Sequence, residues 1–226
     1  MAPMEKREAA FMGRITANAT HEMKNVLAII KEYVGLIQDI LARLDKDSIP
    51  SSEKMSRSLE SIRDQVQRGV DLTEYLNRFA HSPDETIGTF ELNLTVSQIV
   101  YLSRRLAKLK EISLEAAQQN QTITIVSDPL KAQMLIFECI DVLLDVLESG
   151  ATMRLKALQL DPGTAAVEFS TDKISAEARQ RLKDASGAPQ WSSLEELAGT
   201  LGGSVQSGRE EALMRLVLPV DAEHKT

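Results

Sequence analysis

The segment AFMGRITANATHEMKNVLAIIKEYVGLIQDILARL, residues 10 to 44, decides the fold. Its apolar residues Met12, Ile15, Ala19, Met23, Val26, Ile30, Ile37, Leu41 and Leu44 recur at three- and four-residue steps, as on one face of a long α-helix. At roughly 100° per residue they gather within about 60° of Ala19. A second stretch repeats the rhythm with Met55, Leu59, Ile62, Val66, Val70, Thr73, Leu76 and Ala80. Between them Asp45 to Ser52 supplies Pro50 and serines, suited to stopping one helix and capping the next. Residues 4 to 80 therefore predict an α-hairpin. Two helices of this length cannot cover their own apolar stripes, and pairing of two copies into a four-helix bundle would cover them.

From about residue 86 the rhythm changes. Alternation predicts short strands at Thr86 to Leu92, Ile112 to Ala116 and Thr122 to Val126, then longer ones at Thr152 to Leu160 and Ala165 to Thr171. The turn Asp161-Pro162-Gly163-Thr164 joins the longer pair. A last strand runs from Ala212 to Leu218. Helical patterns lie between, at Thr95 to Lys110, Pro129 to Ser149, Ala176 to Ala185 and Ser193 to Leu201. The expected class is α+β: a helical hairpin over residues 1–82, then an α/β sandwich over residues 83–226, with Ser82-Pro83-Asp84-Glu85 as hinge.

Composition narrows the function. The net charge of −7 argues against a nucleic-acid partner, and three histidines with one cysteine provide no zinc-type cluster. No apolar run approaches the roughly 20 residues that span a bilayer, and the first residues, MAPMEKREAAFMGR, lack the apolar core of a signal peptide. The single Cys139 excludes an internal disulfide framework. A cytoplasmic protein without membrane or metal partner is expected.

His21 falls about 160° from the apolar face, among Arg14, Ala28, Glu32, Gly35 and Asp39, and so points to solvent. A solvated neutral imidazole is a competent nucleophile: one nitrogen takes a phosphoryl group while a neighbour holds the other. Glu22 beside it is placed to set the tautomer, and Asn25 one turn on shares its face and can position a water or a phosphoryl oxygen.

The segment HEMKNVLAI, His21 to Ile29, resembles the phosphoacceptor box of bacterial sensor histidine kinases, His-Glu-x-x-Asn/Thr-Pro-x-x-x-Ile. Val26 stands where that family has a helix-bending proline. The resemblance continues through TFELNLTVSQIV, KEISLEAA and Asp128-Pro129, and ends in LAGTLGGSVQSGREEALMRLVLPV, which is similar to the closing helix, Gly-Gly turn and last two strands of the family's ATP-binding domain. It implies a phosphoacceptor at His21, homodimerisation through the hairpin, and response-regulator receiver domains as partners.

The same resemblance implies a decayed nucleotide site. Glu138 falls at the first polar position of the family's asparagine box and Val142 at its magnesium-holding asparagine, and valine has no oxygen to offer a hard cation. The stretch VEFSTDKISAEARQRL offers Asp172 but none of the glycines of Asp-x-Gly-x-Gly, and the lid shrinks to Lys183 to Ser192. No cofactor is expected. The reading is a histidine phosphotransferase passing phosphoryl groups between receiver aspartates through His21. Its alternatives are a response-regulator phosphatase or sequestering protein using Asn25, a divergent ATP-dependent sensor kinase, and a structural dimerisation module.

Other residues read as structural. Cys139 lies on an apolar helix and reads as core, Trp191 as packing at a helix start, and His81 as a cap at the end of the second helix. Gly202-Gly203 reads as a turn. The basic run Arg104 to Lys110 is a solvated helix face, or a dock for an acidic partner.

Overall fold

The computed structural model describes residues 3–42, 52–118, 121–172, 174–208 and 212–221. Helix α1 (Met4–Ala42) runs unbroken for 39 residues, with no proline inside it to interrupt the hydrogen-bond ladder. Helix α2 (Ser52–Ala80) lies antiparallel to it: Phe11 meets Phe79 near one end, and Glu22 meets Arg68 farther along. A Cβ added at Gly69 would meet Val26 Cγ1 at 3.4 Å, so the glycine lets the two helices approach closely. The expected connection, Asp45 to Ser52, lies outside the described residues except for Ser52, where α2 begins.

The expected hinge is anchored instead. Ser82–Asp84 form a 3-10 turn, and the buried Ser82 hydroxyl exchanges hydrogen bonds with the Gln133 carboxamide at 2.8 and 3.0 Å. Strand β1 (Gly88–Glu91) follows and stops earlier than alternation suggests. Leu92 already begins α3 (Leu92–Leu109), its N–H donating to the Ile123 carbonyl at 2.8 Å.

After β2 (Ser113–Ala116) and β3 (Thr124–Ser127), Asp128 caps helix α4 (Pro129–Val146) by accepting from the Lys131 N–H at 3.0 Å, with Pro129 in the first turn. The hairpin β4 (Thr152–Asp161) and β5 (Thr164–Thr171) turns at the expected tetrapeptide. Helices α5 (Ala176–Ala185) and α6 (Pro189–Thr200) precede β6 (Ser204–Ser207) and β7 (Ala212–Pro219).

The main sheet has the order β2-β4-β5-β7-β6, parallel only between β2 and β4, and a small antiparallel pair, β1 and β3, stands apart from it. One face of the sheet is apolar, with Leu155, Val167, Phe169, Met214 and Leu216 buried beneath the helices. The other carries Arg154, paired with Glu115, and Arg215, paired with Glu168. That division is the usual one for an antiparallel sheet covered on one side. Gly203 is required at the turn into β6, because a Cβ there would sit 2.3 Å from the Val217 carbonyl oxygen.

The two halves share one core. Phe11 of α1 touches Phe79 of α2 edge-on at 5.3 Å between ring centroids and Phe137 of α4 at 5.2 Å. Ile15 and Ala19 continue that contact, both buried against the same cluster that holds Leu72, Leu135 and Ile136. The chain is thus an α+β protein in which the first turns of the hairpin are built into the helical layer of the sandwich.

Candidate functional site

Burial along α1 follows the wheel in part. Ile15, Ala19 and Val26 of the expected stripe are buried and Met12, Met23, Ile30 and Ile37 half-buried, but Leu41 is exposed, while Phe11 and Asn18 are buried outside the stripe. On the expected solvent face Arg14, His21, Ala28, Glu32 and Asp39 are exposed and Gly35 is half-buried. The imidazole of His21 stands on a continuous helix, open to solvent, and among the described residues no hydrogen bond or ion pair reaches it. Asn25, one turn on, is exposed on the same side. Val26 is directed inward against Gly69, and the helix shows no break where the proline of the resembling motif would lie.

Glu22 departs from the expectation. Its carboxylate accepts from Arg68 Nη2 of α2 at 2.6 Å, and its side chain retains only 18% of its exposure. A carboxylate spent on a cross-helix ion pair is drawn away from the histidine beside it. Glu22 therefore locks α1 to α2 at the level of His21. Arg68 continues the lock, since its carbonyl accepts from the Tyr101 hydroxyl of α3 at 3.2 Å. Sequence reading gave α2 only an apolar stripe and missed Arg68; a cation with a partner 46 positions away leaves no local signal.

Opposite His21 on α1, a row of apolar side chains stays in water. Leu27, Val34 and Leu41 are 58%, 40% and 48% exposed and lie seven residues apart; Leu59 and Val66 of α2 are similarly spaced and about half exposed. Between the helices Met23, Leu27, Ile30, Val66 and Val70 line an apolar groove of about 550 Å³. Contiguous apolar surface of this kind on a charged protein marks an interaction face.

Residues placed by resemblance in a nucleotide site lie on and near α4. Val142 is half-buried at the wall of a depression of about 220 Å³, beside Asp141, Asp145, Gln190 and Ser193. Helix α1 approaches this surface with two arginines. Arg7 donates from Nη2 to Glu138 at 2.8 Å and to the Ser193 carbonyl at 3.3 Å. Arg14 makes two parallel bonds to Asp141, at 2.7 and 2.9 Å, with its guanidinium 4.8 Å above the Phe137 ring. Burial holds the Glu138 carboxyl above its ordinary range, and Arg7 pulls it part of the way back. Asp172 is engaged too, accepting from the Thr152 N–H at 3.1 Å at the start of β4. The expected lid remnant is mostly helix: α6 begins at Pro189, leaving only Ser186, Gly187 and Ala188 between α5 and α6.

The structural residues divide. Cys139 is fully buried, and desolvation pushes its thiol up, away from reactive thiolate. Trp191 is buried with its indole N–H on Glu195 at 3.2 Å. His81 lies just past the end of α2, with its Nδ1 2.8 Å from Asp84 Oδ2 across the 3-10 turn. Among the described residues no helix is long and apolar enough to cross a membrane, and no group of three potential metal ligands gathers.

No protein-family model and no curated protein matches this sequence. Among solved structures the chain is similar to the catalytic domain of histidine kinase ThkA, at 10% identity over 62% of this chain and 100% of that one, with a TM-score of 0.48. It is also similar to a histidine kinase from Burkholderia phymatum, at 12% identity over 90% and 98% of the two chains, TM-score 0.49. Similarity to Acinetobacter baumannii histidine kinase AdeS stands at 11% identity over 88% and 98%, TM-score 0.47.

Proposed function

We propose that this protein is a histidine phosphotransferase of two-component signalling, in which His21 carries a phosphoryl group between the aspartates of receiver domains. The observation that carries the reading is the placement of His21: a solvent-open imidazole, unpartnered among the described residues, on the face of α1 turned away from the apolar stripe. Two hairpins paired through Leu27, Val34, Leu41, Leu59 and Val66 leave both histidines facing outward.

In the step proposed, the lone pair of one ring nitrogen attacks phosphorus of an aspartyl phosphate. The bond from phosphorus to the acyl oxygen breaks, and the aspartate leaves as carboxylate with that electron pair. The proton on the other ring nitrogen passes to solvent. The reverse sequence loads a second receiver. The chain's own part is a rigid, accessible nucleophile, because Glu22 and Arg68 fix α1 against α2 at this level.

Residues 1–82 then form the phosphoacceptor and dimerisation unit, and residues 83–226 a platform whose nucleotide chemistry has been replaced. Val142 brings no oxygen to a magnesium ion, while Glu138, Asp141 and Asp172 already hold protein partners. Asn25 supports a second reading, a receiver phosphatase, since its exposed carboxamide sits where it would orient water one turn from His21. Incubation with phosphorylated receivers separates the two: acid-labile label on His21 supports transfer, and inorganic phosphate release that survives His21→Gln but not Asn25→Ala supports hydrolysis.

A further inference from the structure

Helix α3 turns a basic stripe to solvent along the flank of α1. Arg104 and Arg105 lie three and four residues after Tyr101, and Lys108 four and three residues after them, so the four share one side of the helix. Arg104 and Lys108 are exposed, and Arg105 Nη1 lies 3.4 Å from Oδ1 of Asn18, three residues before His21. Neighbouring cations are consumed in ion pairs: Arg68 with Glu22, Arg14 with Asp141, Lys110 with Asp145. Among the described residues Arg104, Arg105 and Lys108 have no such partner. In a chain of net charge −7 this is a local surplus of positive charge.

The surplus is joined to the phosphoacceptor turn. A cleft of about 370 Å³ has Ala19 and Glu22 on one wall, Arg68 and Asp71 on a second, and Tyr101 and Arg104 on a third. Glu22 is held by Arg68, so Asp71 is the carboxylate that faces Arg104, and the cations of the stripe beyond the cleft carry the surplus. The guanidinium of Arg104 lies 5.0 Å above the Tyr101 ring, which orients it without neutralising it. Leu109, next to Lys108 in sequence, is 66% exposed and adds an apolar contact beside the stripe.

We infer that this stripe seats an acidic protein surface, the carboxylate-rich face of a receiver domain around its aspartyl phosphate, so that Arg104, Arg105 and Lys108 hold the partner while its phosphoryl group meets His21. The inference rests on the carrier function proposed above. Charge complementarity selects this occupant: a compact partner with clustered carboxylates matches three cations, whereas the remaining acidic surface of the chain repels an extended polyanion or a uniformly anionic membrane. Cations at a solvated rim act chiefly on association rate and salt dependence.

The test uses the intact chain and the double variant Arg104→Glu, Lys108→Glu, both exposed positions, with Arg105→Glu added in a second protein. Each receiver domain of the source organism is loaded with beryllofluoride, an aspartyl-phosphate mimic, and titrated against them at low and high ionic strength. The cognate receiver should bind the double variant at least about tenfold more weakly at low salt, and the difference should shrink as salt screens the charges. Labelling of His21 by phosphoramidate, a small donor that needs no docking and loses ammonia, should proceed at the wild-type rate. Equal binding with an equal salt slope, in a protein whose wild type transfers phosphate through His21, overturns the inference and leaves the carrier function standing. Wild-type binding to duplex DNA or anionic vesicles as tight as to any receiver overturns it as well. Absence of transfer from every receiver removes the carrier function and the inference with it.

Discussion

Arg7 and Glu138 meet at 2.8 Å across 131 residues of sequence, tying the first turns of α1 to the middle of α4. Glu138 is largely buried, and its carboxyl titrates above the usual carboxylate range because desolvation outweighs the pull of Arg7. A raised carboxyl contributes stability that is full below its unfolded-state value and is lost as pH rises through the folded one. At neutral pH the ionised form is therefore a cost that the ion pair only partly offsets. Glu138→Gln should change unfolding free energy by less than about 1 kcal/mol at pH 7, while Arg7→Met, which leaves the carboxylate without its cation, should lose about 1–3 kcal/mol. Urea denaturation across pH checks the sign: wild type should gain on the Gln variant as pH falls from neutral.

Phe11 sits between Phe79 and Phe137, so its removal opens the seam where hairpin and sandwich meet. Phe11→Ala should cost about 3–5 kcal/mol. The loss should appear in the sandwich as well as the hairpin, read as faster amide exchange in α4. An unchanged α4 would mean that the two halves fold independently.

The half-exposed row of Leu27, Val34 and Leu41 predicts a dimer, with a mass near twice the 25.0 kDa chain by light scattering. Leu27→Glu combined with Val66→Glu should give a folded monomer, because charges buried without partners in the paired seam cost more than the seam supplies. A monomeric wild type would remove the four-helix bundle.

The long elements and the orientation of His21 were legible because helical periodicity is a local property: Ile15, Ala19 and Val26 are buried and His21 exposed where the wheel puts them. Leu41 of the same stripe is exposed, however, and Phe11 is buried by Phe79 and Phe137 on other helices. What escaped depends on distant partners. Alternation ran the first strand through Leu92, but the Leu92 N–H turns to the Ile123 carbonyl and starts a helix. Ser82-Pro83 reads as a hinge by composition, yet a serine bonded to a buried glutamine 51 positions away is an anchor. The first turn of α6 contains Pro189, whose fixed backbone favours a helix start, while apolar spacing alone began that helix at Ser193. Glu22 was assigned to His21 by adjacency; Arg68, on another helix, holds it.

Nucleotide binding should be absent. Titration of the protein with Mg-ATP at millimolar concentration should give no saturable heat, because Val142 offers no metal ligand and Glu138 and Asp141 are held by Arg7 and Arg14. A micromolar dissociation constant would contradict the decayed site and favour a divergent kinase.

His21 carries the central claim, and the most direct measurement is phosphoryl transfer to it from a phosphorylated receiver. His21 is exposed, so His21→Gln should leave folding and dimerisation within about 0.5 kcal/mol of wild type. Radiolabelled receiver incubated with wild type should leave an acid-labile, base-stable label on His21, and none on the Gln variant, whose amide forms no phosphoramidate. Asn25→Ala should still accept the label. A wild type that takes no label from any cognate receiver, while the receivers lose phosphate to water in its presence, would contradict the carrier function.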